Sequence, residues 1–328
     1  MTFLSLLKWM GISLSLFLIA LVLLYFCGPK ASFEAFDNQP IFLDSLVHED
    51  RHIPHLKPNN EARIIWADTM QTATDYCFVY LHGFSASPME SDPIPQELAK
   101  RFKSNLYLAR LDQHGIDDKE AFLHLTPKSY IQSAKMALAQ ARILGRKIII
   151  ISCSTGSTLG LYLSAADSTV AGHIMLSPNI ALADPSSFLL SGPWGLQLAR
   201  WVMGSPYRKW TPENDSVRQY WTCSYRIEGL IAMKYLLDQT MQKEIFKKIS
   251  HPVFMGYYYK NEKEQDETVS VKAMLLMFQD LSTDSDQKEK KSFPQAATHV
   301  IGSKWHSKAQ TELYHAIESF LQKHFFGH

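Results

Sequence analysis

The chain lacks an excess of charge of either sign. Its 328 residues carry 33 Lys and Arg against 32 Asp and Glu, a formal net charge of +1. So even a balance gives no electrostatic footprint for a nucleic acid, and no nucleic-acid partner is expected. Cysteine is scarce too. Cys27, Cys77, Cys153 and Cys223 are the only four. They show neither a disulfide framework nor the paired spacing of a zinc site, and buried free thiols are expected. No internal repeat and no low-complexity tract interrupts the chain.

What the chain does have is apolar content, 46% of its residues, enough for a sizeable core. Its length suits one large α/β domain carrying an insertion. From Trp9 to Gly28 no charged residue occurs. A helix over that stretch is about 30 Å long, the thickness of a bilayer core. The run is longer than the apolar region of a secretory signal, and it ends Leu24-Tyr25-Phe26-Cys27, bulky where a cleavage site needs small residues. An uncleaved single-pass anchor is therefore expected over residues 1–30. Lys8 and the amino terminus precede the span, which favours an inside amino terminus and an extracytoplasmic catalytic domain.

Residues 31–60, with Pro40, Pro54 and Pro58, form a lead-in segment. Strand and helix patterns then alternate, which predicts a mostly parallel sheet covered on both faces. Strands are expected at Arg63–Ala67, Tyr76–Leu81, Asn105–Leu111, Lys147–Ser152, Val170–Leu176, Val253–Tyr259 and Lys291–Phe293. Ile148-Ile149-Ile150-Ile151, four β-branched residues in a row, marks a strand buried on both faces. Helices are expected at Asp92–Phe102, from Thr126-Pro127 to Leu144, and at Thr155–Ala166, Val269–Leu281 and Gln310–His324. Between residues 182 and 249 the alternation stops. Trp194, Trp201, Trp210 and Trp221 lie there in helical stretches without strands, and the segment reads as a helical lid. The core is then 61–181 together with 250–328, with about eight strands and the lid inserted after the sixth.

Ile151-Ser152-Cys153-Ser154-Thr155-Gly156 joins the buried strand to a helix through small residues. This is the setting of a nucleophile elbow, G-x-S-x-G, in which a tight turn exposes the central serine, here Ser154. Ser152 stands where that pattern has glycine. Leu81-His82-Gly83-Phe84 ends another apolar strand. The backbone N–H groups of Phe84 and Thr155 are candidate donors to an oxyanion, and Thr155 also opens a helix whose dipole adds a favourable field. His48-Glu49-Asp50-Arg51-His52 matches the zinc-protease string H-E-x-x-H, but Pro54 stops any helix there and no third ligand follows at a familiar spacing. It reads as a polar surface segment, and no metal is expected.

With His82-Gly83-Phe84-Ser85-Ala86-Ser87, Arg110-Leu111, His114-Gly115 and the Ser154 elbow in this order, residues 60–328 resemble the α/β-hydrolase superfamily, in particular its carboxylesterase, monoacylglycerol lipase and lysophospholipase branch. The resemblance implies a triad. Its acid falls in the charged run after Val253–Tyr259, at Asp266, with Glu267, Glu264 and Glu262 as the competing carboxylates. Its histidine falls at His299, after the last strand, with His306 as the near competitor. It further implies a serine hydrolase that acts on a small-molecule ester, lipid-derived given the anchor and the apolar lid, without a cofactor. The same triad also serves acyl transfer, thioester hydrolysis and peptide cleavage, and an inactive hydrolase scaffold serves as a membrane-tethered binding protein.

Overall fold

The computed structural model describes residues 3–47, 50 and 53–327. The apolar amino terminus is one helix, α1 (Phe3–Phe26), and the side chains described along it are almost all exposed. The lead-in segment then crosses one face of the domain without regular structure. It is held by long-range polar contacts: Asn38 Nδ2 donates to the Tyr162 carbonyl (2.9 Å), Arg142 Nη1 to the Ile41 carbonyl (2.7 Å), and Lys135 pairs with Asp37 (2.5 Å).

The core follows as β1 (Arg63–Ile65), β2 (Thr74–Leu81), α2 (Ile94–Arg101), β3 (Asn105–Leu108), α3 (Pro127–Leu144), β4 (Gly145–Cys153), α4 (Thr155–Ser164) and β5 (Val170–Leu176). The insertion contains a 3-10 turn at Pro185–Ser191, α5 (Gly195–Met203), β6 (Tyr207–Lys209), α6 (Asp215–Tyr220), β7 (Ser224–Arg226), α7 (Ile227–Thr240) and α8 (Lys243–Phe246). The core resumes with β8 (Val253–Tyr257), β9 (Tyr259–Asn261), β10 (Glu264–Gln265), α9 (Val271–Asp280), β11 (Lys288–Ser292) and α10 (Gln310–His324).

Among the described residues the main sheet has seven strands in the order β1-β3-β2-β4-β5-β8-β11. β1 is antiparallel to β3, and every other pair is parallel, so the sheet is mixed and mostly parallel. The connections place helices on both faces, α3 packing in one apolar cluster and α2 and α10 in the other. Ile148 and Ile150 pack into one apolar cluster with α3, while Ile149 and Ile151 face the other with α2 and α10, which is why that strand is apolar at every position. Thr126 caps α3, its hydroxyl accepting the Ser129 N–H (3.0 Å), with Pro127 in the first turn where no N–H is needed.

Five expectations differ. Among the described residues the sheet has seven strands where about eight were expected, and the insertion follows the fifth rather than the sixth. The insertion is not purely helical, because β6 and β7 form an antiparallel hairpin. Each is three residues long, too short to show a period of two. The last strand is Lys288–Ser292, not Lys291–Phe293. It sits at the sheet edge, so its backbone pairs with β8 while its lysines reach water. Tyr259 leaves β8 to begin a separate small hairpin with β10.

Candidate active site

The parallel strands all present their carboxyl ends to one rim, and the candidate residues lie in the loops that leave it. Ser154 sits between β4 and α4 with φ 52° and ψ −120°. A side-chain-bearing residue rarely adopts that conformation, which costs on the order of 1–3 kcal/mol and is held by its surroundings. Ser154 N–H donates to the Leu176 carbonyl (3.0 Å), and the Ser154 carbonyl accepts from Asn179 N–H (3.1 Å). Gly156 is required by close approach: a Cβ there would overlap the Leu81 carbonyl of the neighbouring strand.

Ser152, the departure from glycine, is accommodated by a polar brace behind the elbow. Its hydroxyl lies 2.8 Å from Ser157 Oγ and 2.8 Å from His173 Nε2. Ser152, Ser157 and His173 are completely buried, so this serine–histidine pair has no face open to a substrate. Burial also pushes the His173 imidazolium well below its ordinary range, which keeps the ring neutral.

The second serine–histidine contact faces the rim. His299 Nε2 lies 2.8 Å from Ser154 Oγ, and His299 Nδ1 lies 2.7 Å from Asp266 Oδ2. Asp266 is buried, and its Oδ1 accepts the N–H groups of Thr268 (2.9 Å) and Val269 (3.1 Å). Those two bonds fix the carboxylate and leave Oδ2 for the imidazole. Glu262, Glu264 and Glu267 are exposed; Glu264 pairs with Lys260. His306 contacts Ser303 Oγ (3.0 Å) and the Trp221 ring instead of the serine. Burial works against the His299 imidazolium. The charge and hydrogen bond of Asp266, with a smaller contribution from Glu90, outweigh it and raise the pKa above the ordinary histidine value.

The turn 82–84 passes over the serine. A Cβ on Gly83 would stand 3.1 Å from Ser154 Cβ and 2.8 Å from Glu90 Oε1. Gly83 N–H points inward, to Glu90 Oε2 (2.8 Å). Among the described residues, no protein acceptor meets the N–H of Phe84 or of Thr155. Thr155 is the first residue of α4, where backbone donors are left over. His82 is structural: its ring sits against the Gly83 carbonyl (2.8 Å) through Nδ1 and accepts Leu111 N–H (3.1 Å) through Nε2, and burial pushes its pKa down to about 3. His48, Glu49, Arg51 and His52 of the H-E-x-x-H string lie outside the described residues. Its remaining member, Asp50, pairs with Arg110 (2.9 Å).

The insertion covers this rim. Val217 and Trp221 pack with Ala86, Val300 and Trp305, so they touch both the loop after β2 and the loop that carries His299. Thr222 N–H donates to the Ser85 carbonyl (2.7 Å), and Tyr225 stacks edge-on against Phe84. Ser154 is accordingly only 7% exposed. A cleft of about 560 Å³ lined by Leu46, Glu61, Ile64 and Tyr107 opens beside β1, on elements that carry none of these groups.

Two of these features had no sequence signal. Glu90 lies in an ordinary polar turn, and His173 sits mid-strand among apolar residues. Their importance comes from contacts alone.

No protein-family profile matches the chain, and no curated protein matches it by sequence. Solved structures do match by shape. One is from work on LipS and LipT, two metagenome-derived lipolytic enzymes, at TM-score 0.66 and 12% identity over 82% of this chain and 100% of that one. Monoacylglycerol lipase of Paleococcus ferrophilus aligns at TM-score 0.59 and 14% identity, over 80% of this chain and 98% of its own. A soluble variant of Saccharomyces cerevisiae monoglyceride lipase, in complex with a substrate analogue, aligns at 0.55 and 14%, over 80% and 91%. At such identities the likeness is one of fold. Taken with the sheet order and its antiparallel first pair, it gives the chain the α/β-hydrolase fold, shared with solved esterases and monoacylglycerol lipases.

Proposed function

We propose that the chain is a serine hydrolase that cleaves a carboxylic ester, derived from a lipid such as a monoacylglycerol or a lysophospholipid, through an acyl-enzyme. The observation that carries this reading is the continuous contact from Asp266 through His299 to Ser154, at 2.7 and 2.8 Å.

Serine is a weak nucleophile until a base takes its proton. In this reading His299 Nε2 accepts the Ser154 hydroxyl proton while Oγ bonds to the ester carbonyl carbon. The carbonyl electron pair moves to oxygen, and the Phe84 and Thr155 N–H groups receive that oxyanion. The intermediate then expels the alkoxide, which takes the proton from His299 and leaves as the alcohol. Water attacks the acyl-enzyme, His299 accepts its proton, and the proton returns to Ser154 Oγ as the acid departs. Asp266 holds the imidazole tautomer and offsets the imidazolium charge.

Residues 182–249 act as the lid over the core of 61–181 and 250–328. Its apolar face, with Trp201 and Phe188 exposed, suits a substrate delivered from lipid. The segment 1–30 is the retained anchor, and 31–60 straps it to the core, with the catalytic domain outside the cytoplasm. Two contacts support retention: Trp194 in the insertion donates from Nε1 to the Leu24 carbonyl (3.1 Å) and from N–H to the Pro29 carbonyl (2.8 Å). The testing experiment is a panel of monoacylglycerols, lysophospholipids, short acyl esters and aminoacyl amides, assayed with wild type and Ser154→Ala. Lipid-ester turnover lost in the variant supports the reading; turnover that survives the substitution overturns it.

A further inference from the structure

Glu90 is buried at 1% exposure in the turn before α2, and the acyl-transfer steps above make no use of it. A carboxyl group is rarely taken out of water without being put to work, because the cost of desolvation must be met by specific partners. Its partners are all at the site. Oε2 accepts from Gly83 N–H (2.8 Å) and from the Tyr80 hydroxyl (2.9 Å). The same Tyr80 hydroxyl lies 2.7 Å from Ser91 Oγ. Tyr80 is wholly buried in β2, and Ser91 adjoins Glu90, so the acid is fixed from both sides.

The Gly83 bond matters for direction. Gly83 opens a tight turn, its carbonyl accepting from Ala86 N–H (3.3 Å), while its N–H is held by Glu90 Oε2. Phe84, the next residue of that turn, has an N–H that no protein acceptor meets among the described residues. Glycine at 83 leaves room for the carboxylate, since a Cβ there would crowd both Glu90 Oε1 and Ser154 Cβ. The titratable groups that face Glu90 are Tyr80 on β2, Tyr130 on α3, Cys153 on β4 and His299 in the loop after β11. Of these only His299 becomes cationic. Burial raises the Glu90 carboxyl above its ordinary range, and the Gly83 and Tyr80 donors and the His299 charge offset only part of that rise.

We infer that Glu90 is a positioning residue that ties down the turn 82–84 and aims the Phe84 N–H at the oxyanion. This rests on the hydrolase reading given above. Positioning is separable from charge, because glutamine keeps an oxygen acceptor for Gly83 and Tyr80, whereas alanine removes it.

The test uses the full-length protein in detergent, a p-nitrophenyl ester as probe, and kcat and KM measured across pH for wild type, Glu90→Gln and Glu90→Ala. Losing one aimed oxyanion donor costs about 100- to 1000-fold in kcat, so a loosened one predicts a roughly 10- to 100-fold lower plateau kcat in Glu90→Ala than in Glu90→Gln, with little change in KM. Recovery of plateau kcat by glutamine at unchanged KM is the signature of positioning, which a merely structural role does not give. Equal plateau kcat in the two variants overturns the inference. Where Glu90→Ala does not fold, Glu90→Asp, whose shorter side chain falls short of Gly83 N–H, takes its place in the same comparison. Fluorophosphonate labelling of wild type, run in parallel, separates the outcomes: without labelling, the hydrolase reading itself fails.

Discussion

Ser152 Oγ and His173 Nε2 stand 2.8 Å apart behind the turn that carries Ser154, in a pocket that solvent does not reach. The pair looks like half of a catalytic triad, and its surroundings give it a different part. The Ser152 hydroxyl also meets Ser157 Oγ at 2.8 Å, so it ties β4 to the first turn of α4 and to β5. A glycine at 152 would leave those two groups without their partner.

Ser152→Ala is therefore expected to lower stability, by about 1–3 kcal/mol for buried polar groups left unpaired, while ester turnover stays within several-fold of wild type. Urea unfolding and steady-state kinetics on one preparation check both halves. Loss of turnover with unchanged stability would move the chemistry from Ser154 to Ser152.

The pH dependence follows from Asp266. General-base catalysis needs neutral His299, so kcat/KM falls as pH drops through the His299 pKa. That pKa is raised: burial opposes the cation, and Asp266 more than offsets it. The acid limb should thus lie above the ordinary histidine value of 6.5. Asp266→Asn removes the charge and disturbs the tautomer, so the limb shifts to lower pH and kcat falls about 10⁴-fold. Glu267→Gln, an exposed neighbour, should leave both unchanged. A pH profile for each of the three proteins checks this.

The amino-terminal helix carries its own prediction. A retained anchor keeps the full-length protein in the membrane fraction after an alkaline carbonate wash, and deletion of residues 1–28 releases it. Amino-terminal sequencing of the expressed protein should begin at the start of the helix; a chain that begins after residue 27 would mean that the segment is a cleaved signal.

Much of the core was legible because its residues face the same environment along their length. Ile148–Ile151 is apolar throughout, since both sheet faces are covered, and Gln310–His324 has the bounds its periodicity predicts. Lys288–Ser292 was missed because an edge strand needs backbone pairing, not apolar side chains. Of the proposed triad, Ser154 was picked from its strand–turn–helix setting and His299 through the resemblance, and the structure brings the two within 2.8 Å. Asp266 was separable from Glu267 in sequence only by resemblance; in space one is buried against the imidazole and the other is exposed. Glu90 could not be found in sequence at all, because its meaning lies in the backbone N–H of Gly83, seven residues upstream.

The most direct measurement is intact mass and peptide mapping of the folded protein after treatment with a fluorophosphonate. The account predicts one adduct, on Ser154, present in wild type and Ser152→Ala and absent in Ser154→Ala. An adduct on another residue, or a folded wild-type protein that stays unmodified, would contradict it.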